Sequence, residues 1–195
     1  HNNRKRELVR ALSSGAAAIL DLACGRGGDI NKWLDARVQT VLGVDISGQE
    51  VAEATSRYAE AARKRKKPQN AYQFIQSSDV GVHRIPFLTH CGGTDDEAGA
   101  GAGAGVAASQ LFASVSCQFS VHYFFAFEEM LMEFLGNVAE GLEEGGHFYG
   151  TVPSGAHVLS MLDEQDEYRS SLLHCRRTWP GTFASVPEWG AGYTF

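Results

Sequence analysis

The sequence predicts an α/β fold with a doubly wound, mostly parallel sheet, and three observations carry that expectation. Short apolar runs at 16–22, 40–44, 72–75, 111–116 and 147–152 alternate with segments of helical periodicity. A glycine turn, Gly25-Arg26-Gly27-Gly28, follows the first run, and an acid, Asp45, ends the second twenty residues after Gly25. Sheets of this kind bind ligands beyond the carboxyl ends of their strands, near the point where strand order reverses. The segments after the first four strands are therefore where chemistry is expected.

Each element has a local reason. A helix is expected over His1–Ser13, where Leu8, Ala11 and Leu12 recur at helical spacing and Gly15 ends the run. Ala16–Leu22 reads as a buried strand, and a short helix follows over about Asp29–Asp35. Thr40–Val44 is a second buried strand. Ser47 caps a long helix over about Gly48–Lys66, which Pro68 stops. Tyr72–Ile75 and Leu111–Ser116 are strands three and four. Phe127–Leu142 is an amphipathic helix with Phe127, Met130, Leu131, Phe134, Leu135 and Val138 on its apolar stripe. Gly145-Gly146 turns it into a fifth strand, His147–Val152, and a last helix is expected over about Ala156–Leu173. Between strands three and four, residues 91–108 read CGGTDDEAGAGAGAGVAA, almost without side chains that pack. We expect a disordered, low-complexity insertion within one domain spanning 1–195.

The 195 residues are 44% hydrophobic and 21% charged, which excludes wholesale disorder. No apolar run approaches the roughly 20 residues of a membrane helix, and no signal-peptide pattern opens the chain. It starts at His1 rather than Met, which reads as an excised domain. The four cysteines form no C-x-x-C pair, arguing against a zinc knuckle or disulfide framework and for a reducing compartment, cytosol or nucleus. Net charge is −6, but residues 1–67 hold 13 Lys+Arg against 8 Asp+Glu, whereas 68–195 hold 4 against 15. This excludes a whole-surface nucleic-acid binder and leaves room for a local basic patch in the first third.

The glycine turn is the strongest local signal, because glycine lets backbone approach a ligand without Cβ clashes. Asp45 is placed to accept both hydroxyls of a ribose. A dinucleotide is one candidate ligand, but its fingerprint wants a small residue where Ile30 stands, and Asp29 and Asp21 bring negative charge to the turn. Those carboxylates favour a ligand with a cationic head, and S-adenosylmethionine, with its sulfonium, ammonium and adenosine, fits better.

With Leu20-Asp21-Leu22-Ala23-Cys24-Gly25-Arg26-Gly27-Gly28-Asp29, Lys32-Trp33, Gly43-Val44-Asp45-Ile46-Ser47, Arg57-Tyr58, Phe74-Ile75, Ser116-Cys117-Gln118-Phe119-Ser120-Val121-His122-Tyr123 and Gly145–Pro153, the chain resembles the messenger RNA cap guanine-N7 methyltransferases. The S-C-Q-F-x-x-H-Y string is the specific part, and the resemblance runs from about Asn2 to Pro153 with 91–108 unmatched. It implies the Rossmann-like class I methyltransferase fold, S-adenosylmethionine as cofactor with S-adenosylhomocysteine as product, no metal, a capped RNA 5′ end as substrate, other capping-enzyme domains or subunits as partners, and the nucleus as location, with the cytoplasm as an alternative. By the same resemblance Lys5 reaches the methionine carboxylate, backbone at Ala23 and Gly25 lines the methionine, Asp45 holds the ribose, Asp79 or a neighbour contacts the adenine, and Gln118 and Tyr123 close the pocket. Asn2, Arg26, Lys32, Arg57 and His122 match positions on the cap and triphosphate side.

The sequence departs from the family pattern at several points. Asn3 replaces a tryptophan, Ala23 a glycine and Arg26 a lysine, and Asp79 sits one residue late. After Pro153 the match fades. Trp189–Tyr193 echoes an F-G-N-x-x-Y segment and Val186-Pro187-Glu188 a V-P-E segment whose glutamate grips guanine. We read the first, which places that glutamate and the last strands beyond Phe195, a domain truncated at its C-terminus. Guanine N7 carries a lone pair and no proton, so in-line attack needs positioning and no general base, and no catalytic acid or base is expected. A methyltransferase of a small molecule and a non-catalytic, methyltransferase-fold RNA-binding module are the alternatives. Arg63-Lys64-Arg65-Lys66-Lys67 reads as an RNA-phosphate track, a nuclear-localisation patch or a solvated helix end.

Overall fold

The computed structural model describes residues 2–65, 71–85, 111–181 and 185–194. The expectations for His1 within the first helix, for Pro68 as a helix stop and for disorder over 91–108 concern residues outside them. Five strands, β1 (Ala18–Leu22), β2 (Thr40–Asp45), β3 (Ala71–Gln76), β4 (Phe112–Gln118) and β5 (Leu142–Thr151), form a sheet of order β3-β2-β1-β4-β5. All four pairings are parallel. The order reverses between β1 and β4, the position at which such sheets open a crevice.

Strands buried on both faces explain the continuous apolar runs. On one face Ile19 and Val41 pack with Val9 of α1 (Asn2–Ser13), Trp33 of α2 (Ile30–Asp35) and Ala54 of α3 (Gly48–Lys64). On the other, Leu20, Leu22, Val44 and Val115 pack with Val80, Ile85 and Phe134 and Val138 of α4 (Glu128–Gly141). Alternate residues of one strand thus serve two cores. A third cluster, Val158, Leu162, Cys175 and Trp179, lies where α5 (Gly155–Leu162) meets a small antiparallel sheet of β6 (Glu167–Arg169), β7 (His174–Arg177) and β8 (Tyr193–Thr194).

Local chemistry ends the helices. Ser47 Oγ accepts from Glu50 N at the start of α3. α2 ends in a Schellman motif: Arg37 N donates to Leu34 O and Val38 N to Trp33 O, with Trp33 and Val38 both fully buried. The left-handed position there (φ 60°) holds Arg37 instead of the usual glycine, at a cost of about 1–2 kcal/mol.

Three expectations are corrected. The last helix stops at Leu162, not Leu173, because Asp163 (φ 46°) and Glu164 (φ 61°) turn left-handed and the chain enters the small sheet. Gly145-Gly146 does not precede β5 but lies within it, where residues 143–146 bulge between the Phe112–Leu142 and Ser114–His147 pairs. Phe127 and Leu135, placed on the apolar stripe of α4, are exposed. A polar residue, Asn137, is buried on that helix face instead: it accepts from Ile85 N (2.8 Å) and donates to Val80 O and His83 O, stapling 80–85 to α4.

Candidate active site at the carboxyl edge of the sheet

The loops after β1, β2, β3 and β4 converge beside the switch point. Asp45, the last residue of β2, clasps two of them. Its Oδ2 accepts from Gly25 N (2.7 Å) and its Oδ1 from Ser47 N (2.9 Å). One backbone donor belongs to the glycine turn and the other to the cap of α3, so this carboxylate fixes both approaches to the crevice. Each oxygen keeps a further lone pair for a ligand hydroxyl. The glycine turn is shaped for close approach. Gly25 (φ 52°) and Gly27 (φ 71°) are left-handed, and a Cβ at Gly27 would collide with Ile30.

Ala23 also stands left-handed, at φ 59°. A glycine here relieves backbone strain that the methyl imposes. Ala23→Gly is expected to raise stability by about 1 kcal/mol, read as a higher urea midpoint at unchanged slope.

Lys5 reaches this edge from α1. Its Nζ donates to Asp29 Oδ2 (2.7 Å) and lies 5.1 Å from the centre of the Phe119 ring. Lys32 Nζ stands 2.8 Å from the other oxygen of Asp29 and donates to Gly28 O (3.1 Å). Two ammonium groups therefore share one carboxylate, all three largely buried. This corrects the electrostatic argument from sequence: Asp29 is compensated by two cations and does not repel an anion by itself. The negative character of the crevice rests on Asp45.

Asp21 is buried near the end of β1, and its Oδ1 has no hydrogen-bond partner among the described residues. Burial raises its pKa well above the usual carboxylate range, the Asp29 charge adds to the rise, and a hydrogen bond from Ser116 opposes it. The folded state then holds this proton over a window that opens near 3.8 and extends upward, so the contribution to stability falls as pH rises through it. Asp21→Asn is expected to be more stable than the parent at pH 7, with the difference shrinking towards pH 4; denaturation curves at several pH values check this.

The remaining candidates fall into two groups. Gln118 is buried at the end of β4, donating to Ser116 Oγ and accepting from Thr151 Oγ1 (2.9 Å). Asp79 is half-buried after β3, where its Oδ2 accepts from Ser77 Oγ (3.0 Å). His122 and Tyr123 share the 3-10 turn after β4 (Val121–Ala126), with their ring centres 4.2 Å apart and Tyr123 exposed. His122 Nδ1 is buried with no hydrogen-bond partner among the described residues, and burial lowers the imidazole pKa. Residues 185–194 close over this turn: Trp189 stacks on Phe125, Gly190 N donates to Phe125 O, and Tyr193 lies parallel to His122.

Other candidates do not offer a free group to this edge. Arg26, in the turn, is held by two hydrogen bonds to Glu50. Lys32 is buried and committed as described. Arg57 lies in the third turn of α3, roughly 14 Å along the axis from its start, paired with Glu53. Asn2 is exposed in the first turn of α1, ahead of Lys5. Sequence reasoning missed Glu50, Phe119 and Thr151 as partners. Glu50 alone carried a signal, standing three residues after the cap Ser47, the spacing at which a glutamate turns back to the cap; here Asp45 occupies the Ser47 amide and Glu50 turns to Arg26.

Burial also pushes the Cys24 and Cys117 thiols up, so neither is a ready nucleophile. Among the described residues no group of three or more His, Cys, Asp or Glu side chains is placed to hold a metal ion, and no helix is long and apolar enough to cross a membrane. The left-handed glycine turn and the Asp45 clasp suit a ligand with a ribose, and a cationic head beside the buried Asp21 would favour the charged form that burial disfavours.

Solved structures share this architecture. An S-adenosylmethionine-dependent methyltransferase from Clostridium acetobutylicum superposes with a TM-score of 0.58 at 16% identity, over 92% of this chain and 61% of its own. A glycopeptide N-methyltransferase complexed with S-adenosylmethionine gives 0.55 at 17%, over 90% and 59%. The fold is that of the S-adenosylmethionine-dependent class I methyltransferases. The mRNA (guanine-N(7))-methyltransferase domain matches residues 6–195, and the chain belongs to that family. It is similar to the mRNA cap guanine-N(7) methyltransferases of Debaryomyces hansenii (32% identical, 94% of this chain, 37% of the relative) and Lodderomyces elongisporus (33%, 76% and 26%). The chain thus spans between about a quarter and two fifths of the length of these relatives.

Proposed function

We propose that the protein transfers a methyl group from S-adenosylmethionine to N7 of the guanine cap of RNA 5′ ends. The observation that carries this reading is the Asp45 clasp on Gly25 and Ser47 at the switch point, in a chain matched almost throughout by the cap methyltransferase family. When bound, S-adenosylmethionine supplies an electrophilic methyl carbon on a sulfonium. Asp45 binds the ribose, the backbone at Ala23 and Gly25 lines the methionine, and Lys5, held by Asp29, faces its carboxylate. Asp79 borders the adenine, and Gln118 and Tyr123 close the pocket. Asn2 and His122 serve the cap side, Arg26 and Arg57 serve it by exchanging Glu50 and Glu53 for phosphates of the capped RNA, and Lys32 serves it indirectly, by holding Asp29. With its pKa lowered by burial, His122 is neutral at pH 7 and orients the cap without contributing charge. Guanine N7 has no proton to lose, so the work of the site is alignment and exclusion of water, which supplies roughly 7–11 kcal/mol of a barrier. The reaction belongs to nuclear mRNA processing.

Because Arg26 and Lys32 are already paired with acids, a non-cap substrate is the second reading. Calorimetric titration with S-adenosylhomocysteine, then with a methylated cap analogue, separates the two. Binding of both is the expected result. Binding of the first alone supports the second reading, and binding of neither refutes the methyltransferase assignment.

A further inference from the structure

Charge is divided by the sheet. On the α4 side, residues 71–85 and 111–151 contain Arg84 as their one Lys or Arg, while Glu128, Glu129, Glu133 and Glu140 lie along α4. The opposite face, formed by α1, α2 and α3, carries the basic residues of the first third. All three of these helices end at the amino edge of the sheet, where β1, β2 and β3 begin. Their ends are tied together: Gly15 N donates to Ala36 O (2.8 Å), and Arg65 pairs with Asp35 (2.7 Å). Arg10, Arg37, Arg63, Lys64 and Arg65 gather there. Lys64 and Arg65 are paired with acids, whereas Arg10, Arg37 and Arg63 are exposed and have no ion-pair partner among the described residues.

Cations at helix C-termini complement the macrodipole, and this accounts for Arg10 and Arg63 as stabilisers. It does not account for Arg37, which lies past the end of α2 at a left-handed position where glycine would be less strained. The cluster is continuous with the candidate site along α3, whose 17 residues span about 26 Å from Ser47 and Glu50 to Arg65. An RNA held by its cap at the carboxyl edge would reach this cluster with phosphates several nucleotides downstream, across the length of α3.

We propose that the α1–α3 face, through Arg10, Arg37 and Arg63, binds the phosphate backbone of the RNA downstream of the cap. The proposal rests on the cap-methylation reading and adds to it a second, sequence-independent contact surface. It predicts that affinity grows with RNA length and falls steeply with salt.

The test compares this chain with Arg10→Gln/Arg37→Gly/Arg63→Gln. The probes are a cap dinucleotide, a capped RNA of about 15 nucleotides and its uncapped counterpart. For the parent, the longer capped RNA is expected to bind at least tenfold more tightly than the dinucleotide. The triple variant is expected to lose most of that ratio and about 2 units of salt slope, since each single-strand phosphate contact contributes roughly 0.7. Its affinities for S-adenosylhomocysteine and the dinucleotide should not move. Arg37→Gly alone is the internal control: a purely structural residue would give a more stable protein with unchanged RNA binding, whereas here it should melt higher and bind long RNA less. No length effect in the parent, or a length effect that survives the triple substitution, overturns the proposal; either would leave the face free for an acidic protein instead. If the dinucleotide fails to bind, the cap reading falls, and the uncapped RNA decides this proposal separately: binding lost in the variant supports it, and equal binding overturns it.

Discussion

Asp29→Ala is expected to lower stability by about 3–5 kcal/mol, a large share of what a domain of this size has to lose. The substitution leaves Lys5 and Lys32 facing one another in a largely buried setting, with their shared carboxylate gone. The loss of one partner of a buried ion pair is far costlier than replacement of the whole set. Lys32→Met is accordingly expected to be milder, because Lys5 and Asp29 remain a one-to-one pair. Chemical denaturation of both variants checks the order. Equal losses would show that the three groups do not act as a unit.

Asp45→Ala is expected to reduce S-adenosylhomocysteine affinity by at least a hundredfold. Two effects combine. The carboxylate that would meet the ribose is removed, and the Gly25 and Ser47 amides lose the acceptor that fixes the turn and the α3 cap. Asp45→Asn separates them: its amide oxygen can hold one backbone donor, so it should recover part of the stability but little of the affinity. Unchanged affinity in Asp45→Ala, measured by calorimetry, would remove Asp45 from the site.

The first half of the chain was legible because its signals are local. Apolar runs bounded by glycine or acid gave β1 and β2, a short run of aromatic and β-branched residues gave β3, and Ser47 gave the start of α3. The position of Asp45 followed from the same logic. The pairing of Lys5 with Asp29 was not legible, since a contact between residues 24 apart depends on how α1 docks and leaves no periodicity. Asn137 hid on an apolar helix face, where composition announces only packing. The strands β6 to β8 escaped because they are two to four residues long, and β6 is exposed throughout. Without burial there is no alternation to read. The likeness to cap methyltransferases supplied roles, such as those of Tyr123 and His122, that no spacing rule could.

Ser13, the last residue of α1, bonds to the side chains of Ser114 and Tyr149, which lie 101 and 136 positions later. The helix that brings Lys5 to the site is thus synthesised well before the residues that anchor its end. On the ribosome α1 can pack through Val9 on β1, β2 and α2 as soon as these have emerged, but its Ser13 anchor cannot form until β4 and β5 follow. Closing a loop of that length costs entropy that only the finished sheet repays. The final anchoring of the helix that carries Lys5 is therefore among the last features to form, after the Asp45 clasp that it borders.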